Sequence, residues 1–396
     1  MKKSLLSLAA LLIAGSAVAQ VNFTFNRTST TEATVNVAKD GENVTNIAAT
    51  IAIAGADEYL NKGQTVSNTN LLCISRNTAD ATPDTPNKYT IAITNNSSEA
   101  ITFDYIRVSG VALNSGGEYQ SMSVDRARNF VVKYGDTTLP SELNTLSELK
   151  QICDNGHCNG TPTNNLFDAT TTQTIAAGAT YEISIAIDNN VVDATKKQGC
   201  FYALKEVSLV NTHTLTVGTT GYATLMLGYN ATIPAGATCY AAAVDGDKAV
   251  LTAIEGTLAA NTPVLVQADA ADYTFEPTPD APAVENNELE GSLSAKSIAV
   301  ADGTVCYVLA KPEELEIGFY RAALSEEGSF LNNANKAYLP VVGSSAARIS
   351  FDFGTETAIE SVESVENSAV VYDLAGRRVQ GAQKGIFIVN GKKVIK

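Results

Sequence analysis

Tryptophan is missing from this 396-residue chain, and there are only two histidines and three methionines. The lack of tryptophan removes the largest platform on which a flat ligand stacks. Histidine is the usual base near neutrality, so with only His157 and His213 available, hydrolysis by a Ser or Cys triad is disfavoured. Positive charge is scarce as well: 27 Lys and Arg stand against 42 Asp and Glu, for a net charge of −15. A surface that negative repels phosphate backbones and anionic lipid headgroups, so no nucleic-acid partner is expected. No GxGxxG, Walker loop or HExxH pattern occurs, and no cofactor or resident metal is expected. The many carboxylates leave glycoside hydrolysis open in principle, but the sequence singles out no pair. No apolar run approaches the ~20 residues of a bilayer-spanning helix, so no transmembrane anchor is expected.

What is present begins with an address. Lys2 and Lys3 precede an apolar run from Leu5 to Ile13, which ends in the small residues Ala17-Val18-Ala19 before Gln20. A charged start, a short apolar core and a small-residue end describe a secretory signal peptide over residues 1–19, with cleavage between Ala19 and Gln20. No cysteine stands at that point to take a lipid. Export makes the six cysteines, Cys73, Cys153, Cys158, Cys200, Cys239 and Cys306, readable as a disulfide set. A domain boundary near residue 211 leaves Cys239 to pair with Cys306. Cys153 and Cys158 bracket the turn-rich "DNGH", which favours a local bridge and leaves Cys73 for Cys200. A metal site at Cys153, His157 and Cys158 is the weaker alternative, because no second Cys/His pair at structural zinc spacing accompanies it.

The body reads as all-β. "KYTIAITN" (88–95), "ITFDYIRVSG" (101–110), "NFVVKYG" (129–135), "TYEISIAID" (180–188) and "FYALKEVSLV" (201–210) are rich in β-branched and aromatic residues and are separated by Asn, Gly, Ser and Asp. This predicts an N-terminal β-sandwich over residues 20–211. One helical insertion is expected at "PSELNTLSELKQIC", where Leu143, Leu146, Leu149 and Ile152 recur after Pro140 and Ser141. A second β-rich domain follows over 212–353, with a solvated Pro-rich loop at "EPTPDAPAVENNELEG". Two short acidic motifs, "DTT" at 136–138 and "DGD" at 245–247, are expected to be hairpin turns rather than a modification acceptor or a calcium loop.

Residues 354–368 form an acidic linker, and residues 369–396 differ from everything before them. From Tyr372 to the end, six basic residues stand against Asp373, reversing the charge of the body. "AVVYDL", "GIFIV" and "KKVIK" are short strands, the last two joined by Asn390-Gly391, a strong hairpin signal, so a small C-terminal β-meander is expected.

Two stretches carry a family resemblance. The ordered phrases "GYATL", "IPAGATCYAAAV", "GTLAANTPVLVQA", "LEGSL", "CYVLA", "GFY" and "NKAYL" resemble a β-rich module found near the C-termini of exported surface proteins of Gram-negative bacteria that use type IX secretion. The tail resembles the type A sorting domain of that pathway through Tyr372, Asp373, Leu374, Gly376 and Arg377 of "VYDLAGRRV", Gly385 and Ile386 of "KGIFIV", and Asn390, Gly391, Lys392 and Lys393 of "NGKKVIK". The resemblance implies export through the periplasm to the cell surface or medium, with the type IX machinery as a partner. The first domain loosely resembles carbohydrate-binding jelly rolls. The expected function is therefore non-enzymatic binding of a glycan or a surface protein, with Tyr89, Tyr105, Tyr119, Tyr134, Tyr181 and Tyr202 as the available stacking residues. A structural or scaffolding surface protein is the competing expectation, and an accessory to a glycoside hydrolase, or an enzyme, is a more distant one.

Overall fold

Period-two burial along the strands sets the architecture. In β6 (Lys88–Asn95) every second residue, Tyr89, Ile91, Ile93 and Asn95, is buried, and in β1 (Val21–Arg27) the same holds for Val21, Phe23 and Phe25. The computed structural model describes residues 20–27, 33–54, 72–74, 88–113, 130–139, 163–187 and 201–353, with 371–373, 378–379, 386–389 and 392–395 of the tail. Among these residues the chain is all-β and no helix occurs. The segment expected to be helical, residues 140–153, lies outside them. The chain divides into two compact units, Met1–Gly354 and Thr355–Lys396.

The first unit begins with two antiparallel sheets. One runs β10 (Thr163–Ile175), β7 (Ile101–Leu113), β12 (Phe201–Val210), β1, β2 (Ala33–Lys39), β3 (Glu42–Asn43), with β5 (Leu72–Ile74) also paired to β12. The other runs β4 (Ile47–Ala54), β6, β11 (Thr180–Ile187), β8 (Phe130–Tyr134), β9 (Thr137–Thr138). Their facing side chains form one core, with Phe23, Phe25 and Phe103 from the first sheet beside Tyr89, Ile91 and Ile183 from the second. In β12 the register to β7 slips at Lys205, so Leu204, Val207 and Leu209 all reach this core despite their uneven spacing. Val210 then faces the opposite way, into the core of the next set of strands.

That next set is built on one sheet of nine strands: β14 (Tyr222–Leu225), β19 (Val264–Ala268), β16 (Ala237–Asp245), β17 (Lys248–Ile254), β27 (Arg348–Asp352), β24 (Gly318–Arg321), β23 (Thr304–Ala310), β26 (Lys336–Val342), β21 (Glu290–Ser292). β17 and β27 pair in parallel. The first strand returns to the eighth: Ala337 N–H donates to Thr224 Oγ1 at 3.2 Å and Asn335 Nδ2 donates to the Met226 carbonyl at 2.9 Å. The sheet thus nearly closes into a barrel, filled by Leu251, Leu265, Tyr307, Phe319, Leu339 and Ile349. Its outer face at β14, β19 and β16 is covered by the pair β13 (His213–Val217) and β20 (Ala271–Phe275), which contributes Leu215, Val217 and Phe275 to a separate core. The short pairs β15 (Ala231–Thr232) with β18 (Thr257–Leu258), and β22 (Lys296–Ala299) with β25 (Ser329–Asn332), complete it.

Both acidic turns are hairpins. Asp245 faces Lys248 across Gly246-Asp247, with Gly246 at φ +63°, and Tyr134 faces Thr137 across Gly135-Asp136. The Pro-rich loop is pinned as well as solvated: Asn287 Oδ1 accepts from Ala242 N–H at 3.2 Å while its Nδ2 donates to the Pro263 carbonyl at 2.7 Å.

The expected Cys239–Cys306 bridge is not formed. Both are free, buried thiols in different clusters. On β16, Cys239 points to the outer core, the face opposite Tyr240 and Ala242. Four strand spacings, roughly 19 Å along the sheet, separate β16 from β23, where Cys306 sits. A disulfide needs Cα atoms within about 7 Å, so no rotamer joins them. Cys73 lies in β5, and Cys153, Cys158 and Cys200 lie outside the described residues.

The second unit also differs from expectation. Its strands β28 (Val371–Asp373), β29 (Arg378–Val379), β30 (Ile386–Val389) and β31 (Lys392–Ile395) are ordered β29-β28-β30-β31, whereas a meander would keep chain order. Val371 faces Val379 on one side and Val389 on the other, so the first strand becomes an inner one. Tyr372 and Asp373 lie on β28, Ile386 on β30, and Lys392 and Lys393 on β31. Val389 pairs with Lys392, which leaves two positions, Asn390 and Gly391, between the strands. Those two, with Leu374, Gly376, Arg377 and Gly385, lie outside the described residues.

Candidate functional site

The strands of the near-closed sheet carry a run of aromatic rings that rises from the core to the surface. Alternation on β27 puts Ile349 and Phe351 on the inner face, and Phe353 continues the series just past the strand. Phe319 on β24 is fully buried, and its ring meets Phe351 edge-on at 5.6 Å between centroids. Phe351 also meets Tyr222 at 5.2 Å and Phe353 at 6.3 Å, and Phe353 meets Tyr240 edge-on at 5.5 Å. These separations lie in the range where aromatic pairs attract beyond simple burial. Phe353 is 45% exposed, so a hydrophobic ring stands at the surface on a support of other rings.

A single amide organises the polar side of this series. Gln267 on β19 lies opposite both Tyr222 and Thr238 in register. Its Oε1 accepts from the Tyr240 hydroxyl at 3.0 Å, and its Nε2 donates to the Tyr222 hydroxyl at 2.9 Å. The amide bridges the two phenols, and in this arrangement one Gln267 N–H and the Tyr222 hydroxyl proton are left as donors. Burial, with Tyr240 beside it, holds the Tyr222 phenol above its ordinary pKa, so it stays a donor throughout the neutral range.

Phe351 also borders an open cleft of about 760 Å³ lined by Lys311, Glu314, Leu315, Glu316, Ile317, Arg348 and Ser350. Arg348 is held in place there. Its Nη2 donates to the Ile317 carbonyl at 2.8 Å and to Glu316 Oε2 at 3.2 Å, and the guanidinium stands over the Tyr320 ring at 5.8 Å. Glu316 is largely exposed, so that ion pair positions more than it stabilises. Rings with a fixed amide on one side and fixed charged groups on the other can stack on a flat C–H face while meeting hydroxyls at its edge.

The groups that would serve hydrolysis are placed unfavourably. His213 is half-buried at the start of β13, and burial first, then the nearby Lys336, pushes its pKa down to about 4. It is therefore not a base poised near neutrality. Burial pushes the Cys239 thiol up to about 12 and the Cys306 thiol upward, so neither is a thiolate at neutral pH. Among the described residues, no three His, Cys, Asp or Glu side chains gather as metal ligands.

The chain matches no family model, no curated protein and no solved structure. The site therefore rests on its own geometry.

That geometry moves the stacking surface away from the tyrosines the sequence offers. Tyr89 and Tyr134 are buried in the first core. Tyr105 packs against the second core and its hydroxyl donates to Glu276 Oε2 at 3.2 Å. Tyr181 alone among those with described side chains is exposed, at 37%, and its ring stacks on Tyr134 at 4.1 Å. Tyr202 lies on β12, and Tyr119 lies outside the described residues. Sequence reasoning missed Tyr222, Tyr240, Phe351 and Phe353. Their one signal was the alternation of "ISFDF", whose apolar positions continue past the point where a buried face should end.

Proposed function

We propose that this is an exported, non-enzymatic surface protein that binds a glycan through the aromatic series ending at Phe353. The carrying observation is the Phe351–Phe353–Tyr240–Tyr222 set with Gln267 fixed between its two phenols. In this reading residues 20–211 are a jelly-roll-like sandwich, residues 212–353 the binding module, residues 354–368 a linker, and residues 369–396 a sorting tail. The leader over residues 1–19 and the resemblance of the tail to type IX sorting domains support the export half of the proposal.

Phe353→Ala is expected to cost about 0.5–1.5 kcal/mol of stability, since the ring is 45% exposed but still meets Phe351 and Tyr240. It should weaken glycan affinity about 3–10-fold, the worth of one aromatic contact. A glycan array with the full chain, followed by titration of the best ligand against both proteins, measures this. Uniformly negative arrays would remove the glycan reading.

A rigid spacer or adhesive scaffold is the second reading, and one observation favours it. The two β regions of the first unit share structure rather than a free linker: Val210 and Tyr105 enter the second core, and Thr212 N–H donates to Asp104 Oδ2 at 2.9 Å. For the tail, deletion of residues 372–396 is expected to abolish surface display, read by cell fractionation and protease shaving. Unchanged display would return the tail to a purely structural role.

A further inference from the structure

Of the four outer strands of the first two sheets, three are poor templates for a further strand. β3 and β9 are two residues long, and β10 is interrupted where its register jumps between Asp168 and Gln173, with Thr170 at φ +61°. Short or irregular edges of this kind keep β proteins from pairing with one another. β4 is different. It runs for eight residues, "IAATIAIA", in unbroken register with β6 from Ile47 opposite Asn95 to Ala54 opposite Lys88, and among the described residues no strand pairs with its other side. It holds no charge, proline, glycine or bulge, so the usual guards of an edge are missing.

The core is also left open along this edge. Ile47 and Ile51 are buried, but Ala49 and Ile53, which point into the same core, are only partly covered. On the other face Ala48, Thr50 and Ala52 are exposed, and their register partners on β6 are Thr94, Ala92 and Thr90. In a chain of net charge −15, β4 and β6 carry one charged residue between them, Lys88 at the far end.

We infer that two copies of the protein associate through β4, antiparallel about a twofold axis at Thr50, so that two five-stranded sheets become one of ten strands. Matching faces require that each residue meet one of the same parity, and the axis at Thr50 is the one that sets all three isoleucines opposite apolar residues of the strand. Ile47 then lies opposite Ile53, and Ala49 opposite Ile51, which closes the half-covered side of the core. Ala48 lies opposite Ala52 outside, and Thr50 opposite its own copy. The two Lys88 positions fall at opposite ends of the paired strands, and neither β4 nor β6 brings a carboxylate to the contact. This self-match favours a second copy over an unrelated strand. Association stops at two because each β4 is used once and the other edges are the blunted ones.

Sedimentation velocity on the protein recovered from an exporting host is expected to show a monomer–dimer equilibrium between about 1 and 100 μM. Thr50→Lys, at a position exposed in the single chain, sets two ammonium groups opposite each other and should raise the dimer dissociation constant roughly fivefold or more. Thr252→Lys, the same charge change at an exposed position of β17, should leave it unchanged. Thr50→Cys gives a second readout. Antiparallel neighbours hold their Cα atoms about 4.5–5.5 Å apart, within disulfide reach, so oxidation should lock a covalent dimer above the wild-type background. A protein that stays monomeric throughout overturns the inference. So does a dimer that Thr50→Lys does not weaken or that Thr50→Cys does not lock, since it pairs through another surface or register. Assemblies larger than two overturn it as well, because they need a contact that does not close on itself.

Discussion

Phe319→Ala is expected to lower the unfolding free energy of the first unit by about 3–5 kcal/mol, the cost of removing a buried phenylalanine and leaving a cavity. The site has little freedom to collapse. Phe319 is fully buried, its strand β24 is paired on one side with β23 and on the other with β27, and its neighbour across the ladder is the equally buried Ile349. The effect should also reach the surface. Phe351 leans edge-on against Phe319, and both Tyr222 and Phe353 lean on Phe351, so the support of the exposed ring is lost with the core residue. Denaturant unfolding followed by tyrosine fluorescence, unobscured because tryptophan is absent, reads the stability. Glycan titration below the transition reads the binding. A loss under about 1 kcal/mol would show that the barrel interior repacks and that Phe319 is not its keystone.

Acidification from about pH 6.5 to about 4 is expected to destabilise the first unit by roughly 3 kcal/mol through His213 alone. Burial is the larger cause of its lowered pKa, and Lys336 adds to it. The imidazole is therefore neutral in the folded state at pH values where an unfolded chain already binds a proton. A group with a depressed folded pKa contributes fully above its unfolded value of about 6.5, and that contribution is lost as the pH falls to the folded value. The backbone of His213 is itself held in place. The backbone N–H of His213 donates to the Tyr229 hydroxyl at 2.7 Å, Tyr229 donates in turn to the Phe275 carbonyl at 2.9 Å, and Phe275 is the register partner of His213. Charging the ring places a second cation near Lys336 in a buried position. The measurement is the difference in unfolding free energy between wild type and His213→Asn across this pH window, because carboxylates titrate in both proteins. Parallel profiles for the two would sink the assignment.

Much of the first unit was readable in the sequence. The strands at 88–95, 180–187 and 201–210, and the two-residue turns at Gly135-Asp136 and Gly246-Asp247, all depend on short-range chemistry. Period-two alternation and the positive φ of glycine act within a few residues, and the chain displays both directly. Whether Cys239 meets Cys306 depends instead on how many strands lie between β16 and β23. The parallel pairing of β17 with β27, about a hundred residues apart in the chain, is invisible to local pattern. The tail shows the same limit at small scale. Each strand is legible, yet the placement of β28 between β29 and β30 follows from competition among pairings that all satisfy the same alternation.

By itself, then, the sequence determined that the described residues are all-β and where many of their strands and turns lie. The tertiary structure decided which aromatic residues are core and which reach the surface. Tyr89 and Tyr134 disappear into the space between two sheets, while Phe353 stands on Phe351 at the rim of a nearly closed one. The physical reason is that alternation assigns a side chain to one of two faces, but only the packing of whole sheets decides which face is covered and where that cover ends.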